Sequence, residues 1–171
     1  MAPLVRRSWA PRGCTPVLFQ RTQSHKKVSV IASLCISPKR DLVRLYFRLL
    51  PDININAPLV LDFLKNLLIQ LKKSPLILIW DRFLAHRAKA VQSFLWDSKS
   101  LHSEYVPAYA PELNPVENTW GYMKTNPLAN CPLSDVLALT KTARFHGRSL
   151  QRKQSLLRSF LKYSPLFLRL K

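Results

Sequence analysis

Hydrophobic positions change period several times along the chain. From Lys27 to Cys35, Val28, Val30, Ala32 and Leu34 alternate with Ser29, Ile31 and Ser33, the two-residue period of a strand. Ser37-Pro38-Lys39-Arg40-Asp41 reads as a turn, and Leu42 to Leu50 predicts the second strand of an antiparallel hairpin. The period then lengthens. Asn56 can cap a helix with Pro58 in its first turn, and Val60, Phe63, Leu64, Leu67, Leu68 and Leu71 recur at helical spacing. Lys72 and Lys73 are expected in its last turn, where cations suit the helix dipole, before Ser74-Pro75 ends it. Leu76 to Trp80 is continuously apolar, as expected of a central strand covered on both faces, and stops abruptly at Asp81.

A helix over Arg87 to Ser98 follows, then a short strand, Glu104 to Val106, and a proline-bounded loop from Pro107 to Pro111. Asn114-Pro115 opens another helix, with Val116, Trp120 and Met123 on its inner face. The order strand, helix, strand, helix predicts a parallel βαβ core, extended by the earlier hairpin. From Asp135 onward the chain reads as mainly helical, with Leu150, Leu157, Phe160 and Leu161 on an apolar side among cations. The first 25 residues carry no regular period.

Composition narrows the classes. The 171 residues are 47% hydrophobic and 21% charged, which is globular usage for about one domain. The net charge is +18 and sits at the ends: residues 1–40 hold eight cations and no acid, and residues 141–171 hold nine and no acid. A nearly neutral middle between two basic ends suits a polyanion, most simply nucleic acid. Cys14, Cys35 and Cys131 are too few and too scattered for a disulfide framework or a CxxC zinc site. No apolar run is long enough for a membrane span or a signal peptide, so a cytoplasmic, nucleoid-associated protein is expected.

Two acids stand where chemistry is possible. Asp81 ends the most apolar strand, and in open α/β sheets ligands gather beyond the carboxyl ends of strands. The plainer alternative is that it starts the loop. Glu117 fits a capping box with Asn114, reaching back to the Asn114 N–H, which alone would account for it. Their combination, across one βαβ unit, allows both carboxylates to converge on one sheet edge and to hold Mg²⁺ or Mn²⁺ through hard oxygen ligands. His86 could assist that site or simply start the next helix. His25, His102 and His146 show no metal-ligand spacing.

Leu76 to Lys124 resembles the catalytic core of DDE-superfamily transposases, close to the insertion-sequence group allied to mariner elements. The matching marks are Asp81 after the apolar strand, His86 in a D-x4-H arrangement, and Tyr109-Ala110-Pro111-Glu112-Leu113-Asn114-Pro115-Val116-Glu117. Thirty-five residues separate Asp81 from Glu117, similar to the family spacing, and Trp9 to Pro16 is also of the family's kind. The resemblance implies an RNase H-like α/β fold: a mixed sheet with flanking helices. It implies a catalytic domain over residues 1–140, followed by a basic helical tail, 141–171, packed on it. It makes Asp81 the second metal-binding acid and Glu117 the third, with Asn114 orienting the Glu117 helix and His86 beside the ligands. The implied activity is cut-and-paste DNA transposition by metal-dependent phosphodiester hydrolysis and strand transfer, with DNA as partner and self-association left open.

Two departures temper that expectation. Arg82 stands where the family often has Asn after the second acid. Residues 1–8 contain no acid, so the family's first catalytic Asp, and the strand that carries it, are expected to be missing. A truncated domain of this kind should bind Mg²⁺ or Mn²⁺ weakly and cleave little or nothing alone. The runner-up expectation is a noncatalytic DNA-binding remnant that inhibits the intact transposase.

Overall fold

The computed structural model describes residues 10–14, 27–72, 74–130, 135–166 and 170; Trp9, Lys73 and Cys131 lie outside them. Strands β1 (Val28–Ile36) and β2 (Val43–Pro51) form the expected antiparallel hairpin, with Val28 opposite Pro51 and Ile36 opposite Val43. Its turn is tied by the Ser37 hydroxyl, which donates to Asp41 Oδ1 at 2.6 Å and accepts from the Leu42 N–H at 3.1 Å. This register puts Val28, Val30, Ala32, Leu34 and Ile36 on the same face as Val43, Leu45, Phe47 and Leu49, and that face forms one core. Helices α3 (Pro115–Thr125), α4 (Val136–Gln151) and α5 (Gln154–Lys162) cover it. Gly147 lets α4 sit against the sheet, since a Cβ there would lie 2.5 Å from Phe47 Cζ.

A second core forms around β3 (Leu76–Trp80) and β4 (Leu101–Tyr105), which pair in parallel with Trp80 opposite Tyr105. Helices α1 (Ala57–Gln70) and α2 (Lys89–Asp97) cover one face of that pair through Val60, Leu64, Val91 and Leu95. Asn56 caps α1, accepting from the Leu59 N–H at 3.1 Å. The helix ends at Gln70 with Leu71 as its cap, so Lys72, expected in the last turn, lies beyond it with φ 54°.

Two expectations need correction. The described strands form two separate two-stranded sheets rather than one continuous mixed sheet. β3 is also not covered on both faces: Leu76, Leu78 and Trp80 turn toward α1 and α2, whereas Ile77 and Ile79 are 67% and 46% exposed. The physical reason is the span of the helices. α3 to α5 cover the hairpin, and no described element of that layer reaches the outer face of β3. The architecture is still mixed α/β, with small sheets between flanking helices. No described helix is long and apolar enough to cross a membrane.

Candidate active site

Parallel strands β3 and β4 end side by side, and the bond from Val106 N–H to Trp80 O, 2.9 Å, extends the pairing to the point where both loops leave. Asp81 is the first residue past β3. Its Oδ1 accepts from the Phe83 N–H at 3.0 Å and from His86 Nδ1 at 2.9 Å. The His86 hydrogen bond, aided by the Phe83 N–H and the histidine's charge, holds the Asp81 carboxyl below the usual aspartate range, against the opposing effect of burial.

His86 is firmly held. Its ring stacks on Trp80 at 4.4 Å between centroids and meets the Phe83 ring edge-on at 5.5 Å. Its carbonyl oxygen accepts from Gln92 Nε2 at 2.8 Å and from the Tyr105 hydroxyl at 3.3 Å. Gln92 donates also to the Tyr105 hydroxyl, at 2.8 Å, and Tyr105 stacks on Trp80 at 5.9 Å. The loop after β3 is therefore clamped from β3, α2 and β4 together, and only Oδ2 of Asp81 is left without one of these bonds.

Glu117 comes from the other core. A single 3₁₀ turn, Pro111–Leu113, leads into α3, whose cap Asn114 accepts from the Val116 N–H at 3.2 Å. The expected capping box does not form: the Asn114 side chain takes the Val116 N–H, while the Glu117 N–H goes to the Asn114 carbonyl. The Asn114 N–H donates to Pro111 O at 3.0 Å instead of to the Glu117 side chain, so Glu117 is not used up as a cap. Its carboxyl is pushed above the ordinary glutamate range by desolvation first; Lys124 pulls it down and the negative charge of Asp81 pushes it up. As a residue Glu117 is exposed, so the desolvation is local to the carboxylate. The charge of Asp81 is the last of the three causes acting on Glu117, and Glu117 is not among the causes acting on Asp81.

Carboxylate oxygens are the hard ligands that a divalent cation such as Mg²⁺ takes, and Asp81 has one of its oxygens fixed in place. The donor set is partial: among the described residues no group of three His, Cys, Asp or Glu side chains could hold a metal ion. Trp80, Gln92 and Tyr105, which frame His86, were not read from the sequence as site residues. Trp80 adjoins Asp81 and could have been suspected, but Gln92 and Tyr105 reach His86 only through the fold.

A family model described as DDE superfamily endonuclease matches residues 2–140. The chain belongs to the DDE superfamily endonuclease family. Its fold is similar to solved structures of a transposase. Against the Mos1 transposase paired-end complex with left transposon end, 98% of this chain aligns with a TM-score of 0.68 at 18% identity. Against the Mos1 mariner paired-end complex with Mn, 96% aligns with a TM-score of 0.66, also at 18% identity. The chain spans about half the length of these proteins, covering 49% of each. The fold of this family member is thus the RNase H-like one expected. No curated protein sequence matches it.

Proposed function

We propose that this chain is part of the catalytic domain of a DNA transposase, with Asp81 and Glu117 as two of its metal-binding acids. The observation that carries the reading is the Asp81 carboxylate just past β3, with Oδ1 held by His86 and the Phe83 N–H, within a chain of this family. Mg²⁺ or Mn²⁺ bound there would supply charge neutralisation at a phosphodiester and activation of water or a 3′-hydroxyl. The chain's own residues do the rest. His86 fixes the Asp81 carboxylate through Oδ1, leaving Oδ2 to a ligand, and Asn114 fixes the helix turn that presents Glu117.

DNA is the proposed partner, and the basic ends are the proposed means of holding it. Lys141, Arg144 and Arg148 are exposed and recur at helical spacing on α4, a stripe that could follow a phosphate backbone. This basic helical region is the proposed tail of a domain that begins in the first residues. With two candidate acids and no group of three possible ligands among the described residues, cation binding is proposed to be weak and cleavage by the isolated chain slight. That same partial set favours a second reading, a noncatalytic DNA-binding form that competes with an intact transposase.

Nicking of supercoiled plasmid in Mn²⁺ separates the two. Slight nicking by the parent chain, abolished by Asp81→Ala and by Glu117→Ala, supports the catalytic reading. DNA retention without nicking supports the second. Absence of DNA binding would sink both.

A further inference from the structure

The two loops that carry the acids also push apolar side chains into solvent. After β3, Leu84 is 80% exposed and Phe83 44%. After β4, Tyr109 is fully exposed. Scattered single apolar residues on a surface need no explanation. Three on loops that leave adjacent strand ends, beside Asp81 and ahead of Glu117, do.

Tyr109 is held out rather than left loose. Its φ of 59° lies in the left-handed region that residues with a Cβ rarely adopt. The chain on either side is pinned: Val106 N–H bonds to Trp80 O at 2.9 Å, Leu113 N–H to Ala110 O at 3.1 Å and Asn114 N–H to Pro111 O at 3.0 Å. Pro107 and Pro111 bracket the turn. Phe83 is pinned as well, by its N–H to Asp81 and its ring edge against His86.

The surroundings say what such rings would meet. Arg82 and Arg87 are exposed in the first loop and are the charges that would draw a polyanion to this edge. Glu112 is the opposing charge in the second loop. Every nucleobase has a flat π-face that stacks on aromatic side chains, but within a duplex those faces are hidden. An aromatic ring can take one only where the strand is unpaired.

We propose that Tyr109, on the loop that leaves β4 beside the one carrying Phe83 and Leu84, is a stacking platform for one or two unpaired nucleobases next to the phosphodiester at Asp81 and Glu117. The preferred substrate is then a DNA end that is frayed or single-stranded, not an intact duplex. This rests on the nucleic-acid reading above and deepens it.

The test is a binding titration in EDTA, so that it does not depend on cleavage. A blunt duplex is compared with the same duplex carrying a two-nucleotide unpaired end labelled with 2-aminopurine. Tyr109→Ala should weaken binding of the frayed end by about 5- to 150-fold, the range of one base stacked on an aromatic ring, and quench less of its fluorescence change. Affinity for the blunt duplex should stay within about twofold, since phosphate contacts are untouched. Tyr109→Phe should behave as the parent. Tyr109→Gly, which tolerates the positive φ, should match Tyr109→Ala and so separate loss of the ring from loss of the loop. Equal losses on both duplexes, no loss on either, or a Phe variant as weak as the Ala variant would overturn the platform. A parent chain that binds neither duplex would overturn the nucleic-acid reading beneath it.

Discussion

The hairpin half and the β3–β4 half solve the same packing problem to different degrees. β1 and β2 are nine residues each, pair along their full length, and bury one face beneath three helices. β3 and β4 are five residues each, and one of their faces carries Ile77, Ile79, His102 and Glu104 into solvent. The proposed metal-binding acids are divided between them: Asp81 follows β3, whereas Glu117 sits on α3 against the hairpin core. A cation shared by the two carboxylates would therefore depend on how the halves are held together, not only on how well each half folds. A domain can keep most of its stability in one half and its chemistry at the junction.

Core truncation should expose this division most strongly. Leu157 is wholly buried in the hairpin core and Leu64 is buried in the other. Leu157→Ala and Leu64→Ala should each cost about 2–5 kcal/mol, from lost burial and the cavity left behind. The locations should differ. By hydrogen exchange, Leu157→Ala should speed exchange in β1, β2 and α3–α5 while sparing β3 and β4, and Leu64→Ala should do the reverse. Uniform acceleration across both halves by either variant would mean one cooperative unit, and the contrast would be lost.

A smaller effect is expected at the junction itself. His86→Ala removes the bond that most lowers the Asp81 pKa, and losing a ligand-orienting partner of this kind typically costs about 10- to 100-fold in metal affinity. Mn²⁺ titration would read that loss directly. The pH dependence has a defined sign. Asp81, with its folded pKa depressed, contributes stability above its unfolded value that is lost as pH falls through the depressed one. Glu117, with its pKa raised, does the opposite: the protonated form is favoured, and that contribution is lost as pH rises through the raised value. Mn²⁺ competes with the Glu117 proton, so affinity should rise with pH through a range above that of an ordinary glutamate. Glu117→Gln should flatten that rise. An unchanged pH profile in the Gln variant would assign the titration to another group.

What the chain discloses in advance follows local rules. The hairpin is legible because Val28, Val30, Ala32 and Leu34 keep a two-residue period with Ile31 alone out of pattern, and α1 because Asn56 and Pro58 mark its start. β4 is harder: it begins at Leu101, three residues before the segment the sequence predicts, because Ser103 puts a small polar residue on the buried face and breaks the alternation. That Ser103 is satisfied by Trp80 Nε1 at 3.0 Å, a partner no local pattern announces. Leu76 to Trp80 misleads in the opposite way, since five apolar residues say nothing about whether a second helix layer reaches them. At the site, Asp81 and Glu117 can be picked out by their positions at element ends. The hold on His86 by Gln92 and Tyr105 cannot, because it is made of contacts between elements.

The smallest effect should come from the visible strap between the halves. Arg48 on β2 pairs with Asp62 on α1, and Asn66 Nδ2 donates to the same carboxylate at 3.1 Å. The pair borders a cleft of about 460 Å³ lined also by Tyr46, Phe63 and Gln151. Both charges are substantially exposed, at 42% and 51% of their side-chain surface. Water screens such a pair, so its contribution should be only about 0–1 kcal/mol. A double-mutant cycle of Arg48→Ala and Asp62→Ala should give a coupling in that range, shrinking toward zero in about 1 M salt, where the screening length is about 3 Å. The Mn²⁺ affinity of Arg48→Ala should stay close to that of the parent, because the loop from Val106 to Asn114 also ties β4 to α3. A coupling above about 2 kcal/mol, or a metal affinity that falls with the pair, would make this exposed bridge the element that sets the distance between Asp81 and Glu117.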